Sequence, residues 1–402
     1  MGEWKEYKLE NFVEVNQKSI SKEFQFEEIE YLDTSSITTG KIDGFQKIKI
    51  KEAPSRAKRL VKDNDIIYST VRPIQRHYGL LKNTKPNFVV STGFAVLTCN
   101  QKLADPRFIY YFLTQDEIVN YLDSVAEGST SAYPSLTPDI ITGIDINAPE
   151  LPEQRSIASI LSSLDDKIDL LHRQNKTLEA LAETLFRQWF VEPVRRGGEA
   201  DEGWVEDSLG NYLSVVDNRG KTPPFSFDKT EYPLIEANAL NGDSRLVNYS
   251  VVKKYVDAGT FNTWFRDKLR KYDTLMTTVG ANIGALAMYV IEKGNIAQNI
   301  IGLSAQKISP FYLYQTMKYR IGEISQLDIG GVQPSIKVPH LLSMIIPIPP
   351  EIVEQRFIQT TKPMIDKMEN NYLEILTLES LRDTLLPKLM SGEVRVKKNE
   401  FD

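Results

Sequence analysis

The chain has 402 residues, of which 41% are hydrophobic and 25% charged, and its formal net charge is −6, a profile typical of a soluble globular protein of two or three domains. A single cysteine, Cys99, excludes an intramolecular disulfide and a cysteine-based metal site. Because no stretch of 18 apolar residues predicts a membrane span and the opening MGEWKEYKLE has no signal-peptide core, we expect a cytoplasmic protein.

Residues 1–150 predict a first globular domain of mixed α and β structure with a core of its own. Short β-rich runs separated by turn residues lie at 45–50, 65–71 and 87–98. Asp105-Pro106 predicts the start of a helix. The apolar face of that helix is expected to carry Phe108, Tyr111, Phe112, Ile118 and Tyr121.

This first domain is basic although the whole chain is acidic. Between Lys41 and Arg107 there are 14 Lys and Arg against 5 Asp and Glu, a net charge of +9. Such a concentration favours a polyanionic partner, and the plain alternative is a solvated surface. The candidate nucleic-acid-contacting residues here are Arg56, Lys58, Arg59, Arg72, Arg76 and Tyr78.

The segment 151–192 predicts one long helix. Pro152 suits the first turn, and Pro193 lies just past the end. Apolar residues recur at alternating gaps of three and four, which places one apolar seam along the helix, as in a coiled coil. The seam comprises Leu161, Leu164, Ile168, Leu171, Leu178, Ala182, Leu185 and Trp189, with Asn175 as a polar position of the kind that fixes register. A helix of this length spans roughly 55 Å at about 1.5 Å per residue, which favours a spacer.

Residues 193–350 predict a linker, 193–203, followed by a second globular domain with a similar order of elements. From Arg219 to Lys271 there are 10 Lys and Arg against 6 Asp and Glu, a net charge of +4. Basic side chains fix phosphates, and Asn or Gln can read base edges. The basic candidates are Arg219, Lys221, Lys253, Lys254, Arg266, Lys268 and Arg270, and the amide candidates are Asn238, Asn241, Asn282, Gln298 and Asn299.

Residues 351–402 predict a second long helix and a C-terminal tail. Pro363 lies inside the helical pattern, where it is expected to kink or restart the helix. The seam is less regular than the first and includes Ile375, Leu378 and Leu385. Two such helices can pair antiparallel, which would place the globular domains at opposite ends of a rod about a pseudo-twofold axis.

The two halves of the chain repeat at an offset of about 200 residues. Glu153-Gln154-Arg155 returns as Glu354-Gln355-Arg356, and TLEALAETL, 177–185, returns as TLESLRDTL, 377–385. Pro134-Ser135-Leu136 likewise matches Pro334-Ser335-Ile336. An ordered series of matches at one offset indicates a duplication, where the alternative is chance similarity between two amphipathic helices.

Motifs for catalysis and metal binding are missing. Gly220-Lys221-Thr222 resembles the end of a phosphate-binding loop, but Val215 replaces the leading glycine and Pro223-Pro224 cannot supply backbone N–H groups. TPPF at 222–225 resembles the Asn-Pro-Pro-aromatic loop of amino methyltransferases, but threonine replaces the asparagine. The histidines His77, His172 and His340 have no metal-site spacing. Nothing in the sequence supports catalysis by this chain alone.

The chain resembles the DNA-specificity subunit of type I restriction-modification systems over essentially its full length. The motifs that carry the resemblance are Leu151-Pro-Glu-Gln-Arg155, Leu164-Asp-Asp-Lys-Ile168, Leu178-Glu-Ala-Leu181, Trp189-Phe190, Arg219-Gly-Lys-Thr-Pro223, Gln333-Pro334 and Leu385-Leu-Pro-Lys-Leu-Met-Ser-Gly392. The chain departs from the family pattern at Ala132-Tyr133-Pro134 and at Ile352-Val353, where the family has Gln-Pro and Leu-Pro.

The resemblance implies an α+β fold with two target recognition domains, separated by two long helices packed as an antiparallel coiled coil. Each domain would read one half of a bipartite DNA target, and the helices would set the gap between the halves. Two DNA methyltransferase subunits would dock on the helices and modify adenine, and two restriction-translocase subunits would complete the complex. The chain itself would be non-catalytic, with methyl donor, ATP and Mg held by the partner subunits.

Two other classes stay open from the residues alone. A coiled-coil scaffold that binds only proteins would tolerate charge reversal at Arg72 or Lys268. An enzyme with an unrecognised site would show activity as the purified chain.

Overall fold

The computed structural model of the chain describes residues 3–128, 135–192, 203–241, 245–327 and 334–396. It divides into two compact units, the first comprising Met1–Lys167 with Leu378–Asp402 and the second comprising Ile168–Thr377. Each unit therefore contains one globular part and a portion of both long helices. The predicted linker residues 193–202 and the matched residues Pro134 and Gln333 lie outside the described ranges.

The globular part of the first unit is built on two four-stranded sheets. In the first, the strand order is Gln46–Lys49, Glu28–Leu32, Phe88–Ser91 and Ala57–Leu60, with the middle two strands parallel. In the second, the order is Val13–Val15, Phe94–Cys99, Ile66–Ser69 and Tyr78–Leu80, all antiparallel. Two further strand pairs join Lys5–Lys8 to Asp145–Ala148 and Ile37–Thr38 to Lys41–Ile42. The strands Ile66–Ser69 and Phe94–Cys99 are buried at every position, which explains their unbroken apolar sequences.

Within the described residues, three α-helices complete this part, and they span Pro106–Thr114, Asp116–Glu127 and Pro138–Thr142. Asp105 caps the first, because its carboxylate accepts the N–H groups of Arg107 and Phe108. The backbone at Gln115 is extended, with ψ 141°, so the predicted single helix is two helices. Tyr121 is 52% exposed, so its predicted place on the buried face is wrong.

The globular part of the second unit repeats this plan. A three-stranded sheet has the order Tyr255–Val256, Tyr232–Ile235 and Asn295–Ile296, and a four-stranded sheet has the order Leu213–Val216, Ile300–Ala305, Thr274–Thr277 and Leu286–Met288. Val205–Ser208 pairs with Ile345–Ile348 as Lys5–Lys8 does with Asp145–Ala148. The helices span Ala258–Thr263, Pro310–Tyr319, Ile321–Ser325 and Val338–Leu342.

Equivalent residues confirm the duplication. Leu9 and Leu209 are both fully buried, and their N–H groups donate to the carbonyls of Ile144 and Met344. Ile146 and Ile346, in the paired strands, are also buried. The two globular parts therefore share one backbone frame at positions that lie 200 residues apart, which is the offset of the repeat.

The first long helix spans Leu151–Phe186 and continues into a π-helical turn, Arg187–Val191, and the second spans Glu351–Met390. Pro363 does not restart the second helix. It is exposed, and the carbonyl left without a donor belongs to exposed Gln359, where water can satisfy it. Among the described residues, no helix combines the length and apolar character needed to cross a membrane.

The predicted seam is buried. Leu161, Ile168, Leu171, Asn175 and Ile375 are buried, and Leu164, Leu178, Leu185, Leu378 and Leu385 are partly buried. In the second unit, the Asn175 side chain accepts a hydrogen bond from Asn371 at 2.8 Å and donates one to the Met368 carbonyl at 3.3 Å. The prediction that a polar residue interrupts the seam at Asn175 is confirmed.

The helices run antiparallel within each unit. In the first unit, Asp165 pairs with Arg382 at 3.0 Å, whereas Glu153, near the start of the first helix, pairs with Arg395, beyond the end of the second, at 2.6 Å. In the second unit, Asn175 meets Asn371, and Phe190 packs edge-on against Phe357. Because residue numbers rise on one helix as they fall on the other, the predicted antiparallel packing is confirmed.

Candidate nucleic-acid interface

An open cleft of about 680 Å³ lies at one edge of the four-stranded sheet in the second unit. Three loops meet there, because in an antiparallel sheet the end of one strand lies beside the start of the next. The loops follow Leu213–Val216, follow Thr274–Thr277 and precede Ile300–Ala305. The lining residues are Asp217, Arg219, Gly220, Arg266, Val279, Gln298 and Asn299.

The backbone of the cleft is fixed by hydrogen bonds from Thr278. Its N–H donates to the Asn299 carbonyl at 2.7 Å, and its hydroxyl donates to the same carbonyl at 3.2 Å. Gln298 has a left-handed backbone, with φ 55°, and its side-chain amide donates to the Thr222 hydroxyl. The side chains of Gln298 and Asn299 are consequently exposed on a backbone that is held in place.

Two arginines give the cleft its charge. Arg219 donates two hydrogen bonds to Asp217, from Nη2 at 2.6 Å and from Nε at 2.9 Å, and this pairing holds the pKa of Asp217 below its usual range. Arg266 is exposed and donates to the Arg219 carbonyl at 2.9 Å. The cleft thus combines an oriented guanidinium, a second exposed guanidinium and two exposed amides. These groups are the ones that bind phosphates and read base edges.

The first unit has the same edge with other side chains. The Thr70 N–H donates to the Gly93 carbonyl at 2.8 Å, as Thr278 does to Asn299, so Gly93 occupies the position of Asn299. Thr92 precedes it, and its N–H donates to the Arg56 carbonyl at 2.8 Å. Arg56 pairs with Asp33 at 2.6 Å, and Lys58 is exposed two residues further along the strand.

Arg72 and Arg76 flank the 3₁₀ turn Pro73–Gln75 beside this edge, and both have left-handed backbones, with φ 48° and 57°. Arg76 pairs with Asp116 at 2.7 Å, while Arg72 is exposed. A bulky residue held at positive φ indicates a turn that the surrounding structure imposes.

The structure brings together only part of the predicted set. Arg219, Arg266, Gln298 and Asn299 line the cleft, and Lys221 is exposed in the adjoining loop. The remaining predicted residues of the second unit lie elsewhere: Arg270 at the opposite end of Thr274–Thr277, Lys253 on the exposed surface, Lys254 and Lys268 over the rings of Phe225 and Phe261, Asn238 bonded to the Val251 carbonyl, and Asn241 and Asn282 in another cleft.

Tyr78 was wrongly predicted as a contact residue. It is 3% exposed and stacks on Tyr68 with 5.4 Å between ring centroids. Burial raises the pKa of Tyr78. Arg59 is only half-buried, but its Nε is buried without a hydrogen-bond partner in the part of the chain that the structure describes, and burial lowers the pKa of its guanidinium. Both residues alternate toward the interior of their strands, which a count of charges and aromatics does not reveal.

The sequence interpretation also missed residues. Asp217 orients Arg219, and its spacing two residues before an arginine was the available signal. Arg245 was counted in the basic segment, yet its side chain is fully buried and pairs with Glu179 of the first long helix at 2.5 Å.

Arg245 lies in a second cleft of about 540 Å³ in the same unit. Lys318 also pairs with Glu179, at 2.6 Å, and the Arg245 guanidinium lies over the Tyr314 ring at 4.6 Å. The contact between Arg245 and Glu179 is an ion pair without a hydrogen bond, because the side-chain nitrogens of Arg245 have no hydrogen-bond partner among the described residues. Arg245, Lys318 and Glu179 therefore join the first long helix to the globular part of the second unit, and their charges are paired with one another. Elsewhere in the described ranges, no group of three or more His, Cys, Asp or Glu side chains is placed to hold a metal ion.

Comparison with known proteins gives a consistent result. The family model "Type I restriction modification DNA specificity domain" matches residues 1–180. The HindI type I restriction enzyme specificity subunit of Haemophilus influenzae is 32% identical over 56% of this chain, and the chain spans only 49% of that protein's length. The MjaIX specificity subunit of Methanocaldococcus jannaschii is 26% identical over 85% of this chain and 83% of its own length.

Among solved structures, the S subunit of a type I restriction-modification system from M. genitalium covers 96% of both chains with a TM-score of 0.56 at 18% identity, so the likeness concerns the fold. The fold, the duplicated backbone and the sequence matches therefore indicate similarity to the same group of proteins. Residues 1–180 match the type I restriction modification DNA specificity domain, and the chain is similar in sequence to type I restriction enzyme specificity subunits.

Proposed function

We propose that this chain binds double-stranded DNA and gives a type I restriction-modification complex its sequence specificity, with each globular part reading one half of a bipartite target. One observation carries the proposal. The same sheet edge, fixed by Thr70 in one unit and by Thr278 in the other, presents different side chains in the two units. A shared backbone that carries different exposed side chains suits two half-sites of different sequence.

The chemistry of the second unit's cleft supports direct contact with DNA. Arg266 is exposed and has guanidinium donors beyond its bond to the Arg219 carbonyl for a phosphate or a guanine edge, and the exposed amide of Asn299 has the donor and acceptor needed for adenine. In the first unit, Arg56, Lys58 and Arg72 lie around the equivalent edge and contact the phosphate backbone. Thr92 and Gly93 leave room for a base edge to approach closely.

The two long helices set the number of unread base pairs between the half-sites. Their 36 and 40 residues support this role, since a continuous helix has a fixed rise of about 1.5 Å per residue. Two DNA methyltransferase subunits and two restriction-translocase subunits bind this chain, and they hold the methyl donor, ATP and Mg. The chain contributes no catalytic residue, and base flipping takes place in the methyltransferase.

The test is the adenine-methylation pattern left on host DNA when this chain is co-expressed with its methyltransferase subunit, mapped by single-molecule sequencing. We expect two short defined sequences around an unspecified gap, with one adenine modified in each. Exchanging residues 1–150 for another recognition domain is expected to change only one half. A continuous motif, or an intact complex that leaves no methylation, would contradict the proposal. Failure to form any complex would favour a scaffold.

The role of the helices has its own test. A second copy of TLEA inserted after Ala180 is expected to lengthen the gap while both half-sites stay the same. The same sequencing experiment reads both quantities. A change in either half-site would show that the helices do more than measure distance.

A further inference from the structure

A turn of the same length leaves the sheet edge in each unit, comprising residues 72–76 in the first and 280–284 in the second. Two residues before each turn, the carbonyl of Thr70 or Thr278 accepts an N–H group from the repeated Pro-Ser-apolar segment, at 2.7 and 2.9 Å. Directly after each turn, a carbonyl accepts the N–H of the last residue of the strand that leads into the turn, at 2.8 and 3.0 Å. The two turns are therefore held at both ends in the same way.

Both turns have their first and last residues in the left-handed region of the backbone. In the second unit these residues are Gly280 and Gly284, with φ 111° and 81°, and glycine adopts such values without steric cost. In the first unit they are Arg72 and Arg76, with φ 48° and 57°. Backbone strain of this kind at bulky residues concentrates where side chains bind a ligand. The first unit therefore keeps two arginines at positions where glycine would suit the backbone better.

The first turn is fixed to the helix that packs beside it. Arg76 pairs with Asp116 at 2.7 Å, and the Ile74 N–H donates to the Asp123 carboxylate at 3.1 Å. Both carboxylates of that helix are thus used in holding the turn, while the side chain of Arg72 is exposed. An exposed guanidinium on a turn with a fixed backbone is well placed to bind a phosphate.

The second turn is fixed by packing. Gly284 is buried against the helix Ile321–Ser325, where a Cβ on Gly284 would lie 2.9 Å from Cδ1 of Ile321. Ile283 is partly buried against the core of the same unit. Both turns consequently hold their backbone in one place, which a side chain that discriminates between bases requires.

Of the five turn positions, only the third is exposed in both units. It is Ile74 in the first unit, which is 50% exposed, and Asn282 in the second. These two side chains differ in chemistry, as do Gly93 and Asn299 at the sheet edge itself. A partner that met both units in the same way would require the same side chain twice, whereas two half-sites of different sequence require different ones.

The chemistry of each side chain indicates the base that it suits. Ile74 offers van der Waals contact alone, and in the major groove thymine is the base that presents a methyl group for such a contact. Asn282 offers one donor and one acceptor, which match N7 and the N6 amino group of adenine.

We propose that the two turns read base pairs directly, Ile74 through a thymine methyl group in one half-site and Asn282 through hydrogen bonds to an adenine in the other. Arg72 fixes the first turn on the phosphate backbone. This inference rests on the proposed function and adds one reading residue in each unit to those at the sheet edge.

The experiment uses the full chain co-expressed with its methyltransferase subunit, and single-molecule sequencing maps the methylated motif. Ile74→Asn is expected to lower the preference for the original base at one position of one half-site by roughly tenfold or more, and Asn282→Ile to do so in the other half-site. Leu103→Asn and Asn211→Ile make the same changes at exposed positions outside the turns, and they are expected to leave the motif unaltered. Because all four side chains are exposed, the variants are expected to fold.

Arg72 distinguishes a binding role from a structural one. Arg72→Ala removes the guanidinium, and Arg72→Gly removes the backbone strain as well. Both variants are expected to weaken binding of the target duplex by the assembled complex by about threefold or more and to lower the slope of its salt dependence by about one, as measured by fluorescence anisotropy. Arg72→Gly is also expected to protect the first unit against hydrogen exchange better than Arg72→Ala does.

Two results would overturn the inference while the proposed function stands. One is a split motif that neither Ile74→Asn nor Asn282→Ile alters. The other is an Arg72→Gly complex whose DNA affinity and salt dependence equal those of the unaltered complex, which would make Arg72 a structural residue. If the unaltered chain itself yields no split motif, the proposed function fails and the inference fails with it.

Discussion

At the sheet edge proposed to contact DNA, here called the recognition edge, the first unit places Thr92 and Gly93 where the second places Gln298 and Asn299, yet the threonine that holds the backbone is the same in both. The hydrogen bonds from Thr70 and Thr278 differ by only 0.1 Å in length, at 2.8 and 2.7 Å. A backbone that accepts such different side chains can change its surface chemistry at this edge without refolding. The comparison teaches that the fold and the side chains exposed at this edge are separable in this chain.

The units also differ in how their globular parts hold the helices. In the second, fully buried Arg245 pairs with Glu179. In the first, the Tyr111 hydroxyl donates to Asp165 at 2.6 Å, and Asp165 pairs with Arg382, with about a third of each charged side chain exposed. Because water screens an exposed pair and not a buried one, the two attachments are expected to differ in their energetic weight.

The largest effect is expected for Arg245→Met. The change leaves Glu179 buried with Lys318 as its remaining partner, and we expect a loss of about 3 kcal/mol in the stability of the second unit. Arg382→Met in the first unit is the matched control, with an expected loss of about 1 kcal/mol or less. Hydrogen exchange followed by mass spectrometry measures each unit separately, which a single melting curve of a two-unit chain does not. Equal losses in both units would remove the distinction between the attachments.

The next effect concerns the polar pair in the helical seam. Asn371 is fully buried, its amide donates to Asn175, and its Oδ1 has no hydrogen-bond partner among the described residues. Asn175→Leu alone removes the shorter hydrogen bond of the Asn371 amide and leaves it only the 3.3 Å bond to Gln174, at a cost of about 1–3 kcal/mol. Asn175→Leu with Asn371→Leu is expected to restore or exceed the original stability, because both polar groups leave the interior. A double-mutant cycle by hydrogen exchange checks this, and additive losses would contradict it.

The sequence predicted the long helices and the duplicated backbone correctly, because the spacing of apolar residues and the repeat both depend on which positions are buried. The seam residues Leu161, Ile168 and Ile375 are buried as the spacing requires, and Leu9 and Leu209 repeat one backbone contact. The sequence repeat misaligned the start of the second long helix by one residue. Matching identical residues pairs Gln154 with Gln355, whereas in the structure Gln154 is equivalent to Glu354. The side chains of Gln154 and Glu354 accept the equivalent N–H groups of Asp105 and Ser309, at 3.1 and 2.5 Å.

The candidate site was only partly predictable. Counting charge grouped Arg245 with Arg266, although one is buried against a helix and the other is exposed at the cleft. Tyr78 and Arg59 are turned inward by strand alternation. Which loops meet at one edge depends on strand order, and strand order is set by tertiary pairing that local sequence does not encode.

The recognition edge itself is tested by Asn299→Ala. We expect specificity to relax at one base pair of one half-site, by roughly 1–2 kcal/mol, because an amide that reads a base edge contributes to discrimination at that position alone. The methylation map with single-molecule sequencing provides the measurement. Asn211→Ala is the matched control, since Asn211 is an exposed asparagine of the same unit in the 3₁₀ turn Leu209–Asn211, outside this cleft. Relaxation in both half-sites, or an equal effect of the control, would sink the assignment.

The smallest expected effect is a change of stability with pH. It should be the same in both units, because it comes from a buried carboxylate in the backbone structure that the two units share. Asp65 and Asp273 are buried at equivalent places, and they accept the N–H groups of Lys62 and Arg270 at 2.9 and 2.8 Å. Burial raises the pKa of both carboxyls, although these hydrogen bonds oppose the shift. Between the unfolded pKa of 3.8 and the raised folded pKa, the folded chain binds more protons than the unfolded chain.

Stability contributed by these two groups is therefore greatest in acid, falls as the pH rises through that window, and is constant above the folded pKa. Asp65→Asn and Asp273→Asn remove the titration, so each variant is expected to gain stability relative to the unaltered chain as the pH rises. Hydrogen exchange at several pH values, taken as the difference between variant and unaltered chain, isolates this term from other carboxyls. Because the two positions share their backbone partners, the two differences are expected to have the same sign and a similar midpoint. A pH dependence confined to one unit would show that the common frame does not extend to its buried charges, and the separation of fold from recognition would then hold only for the backbone.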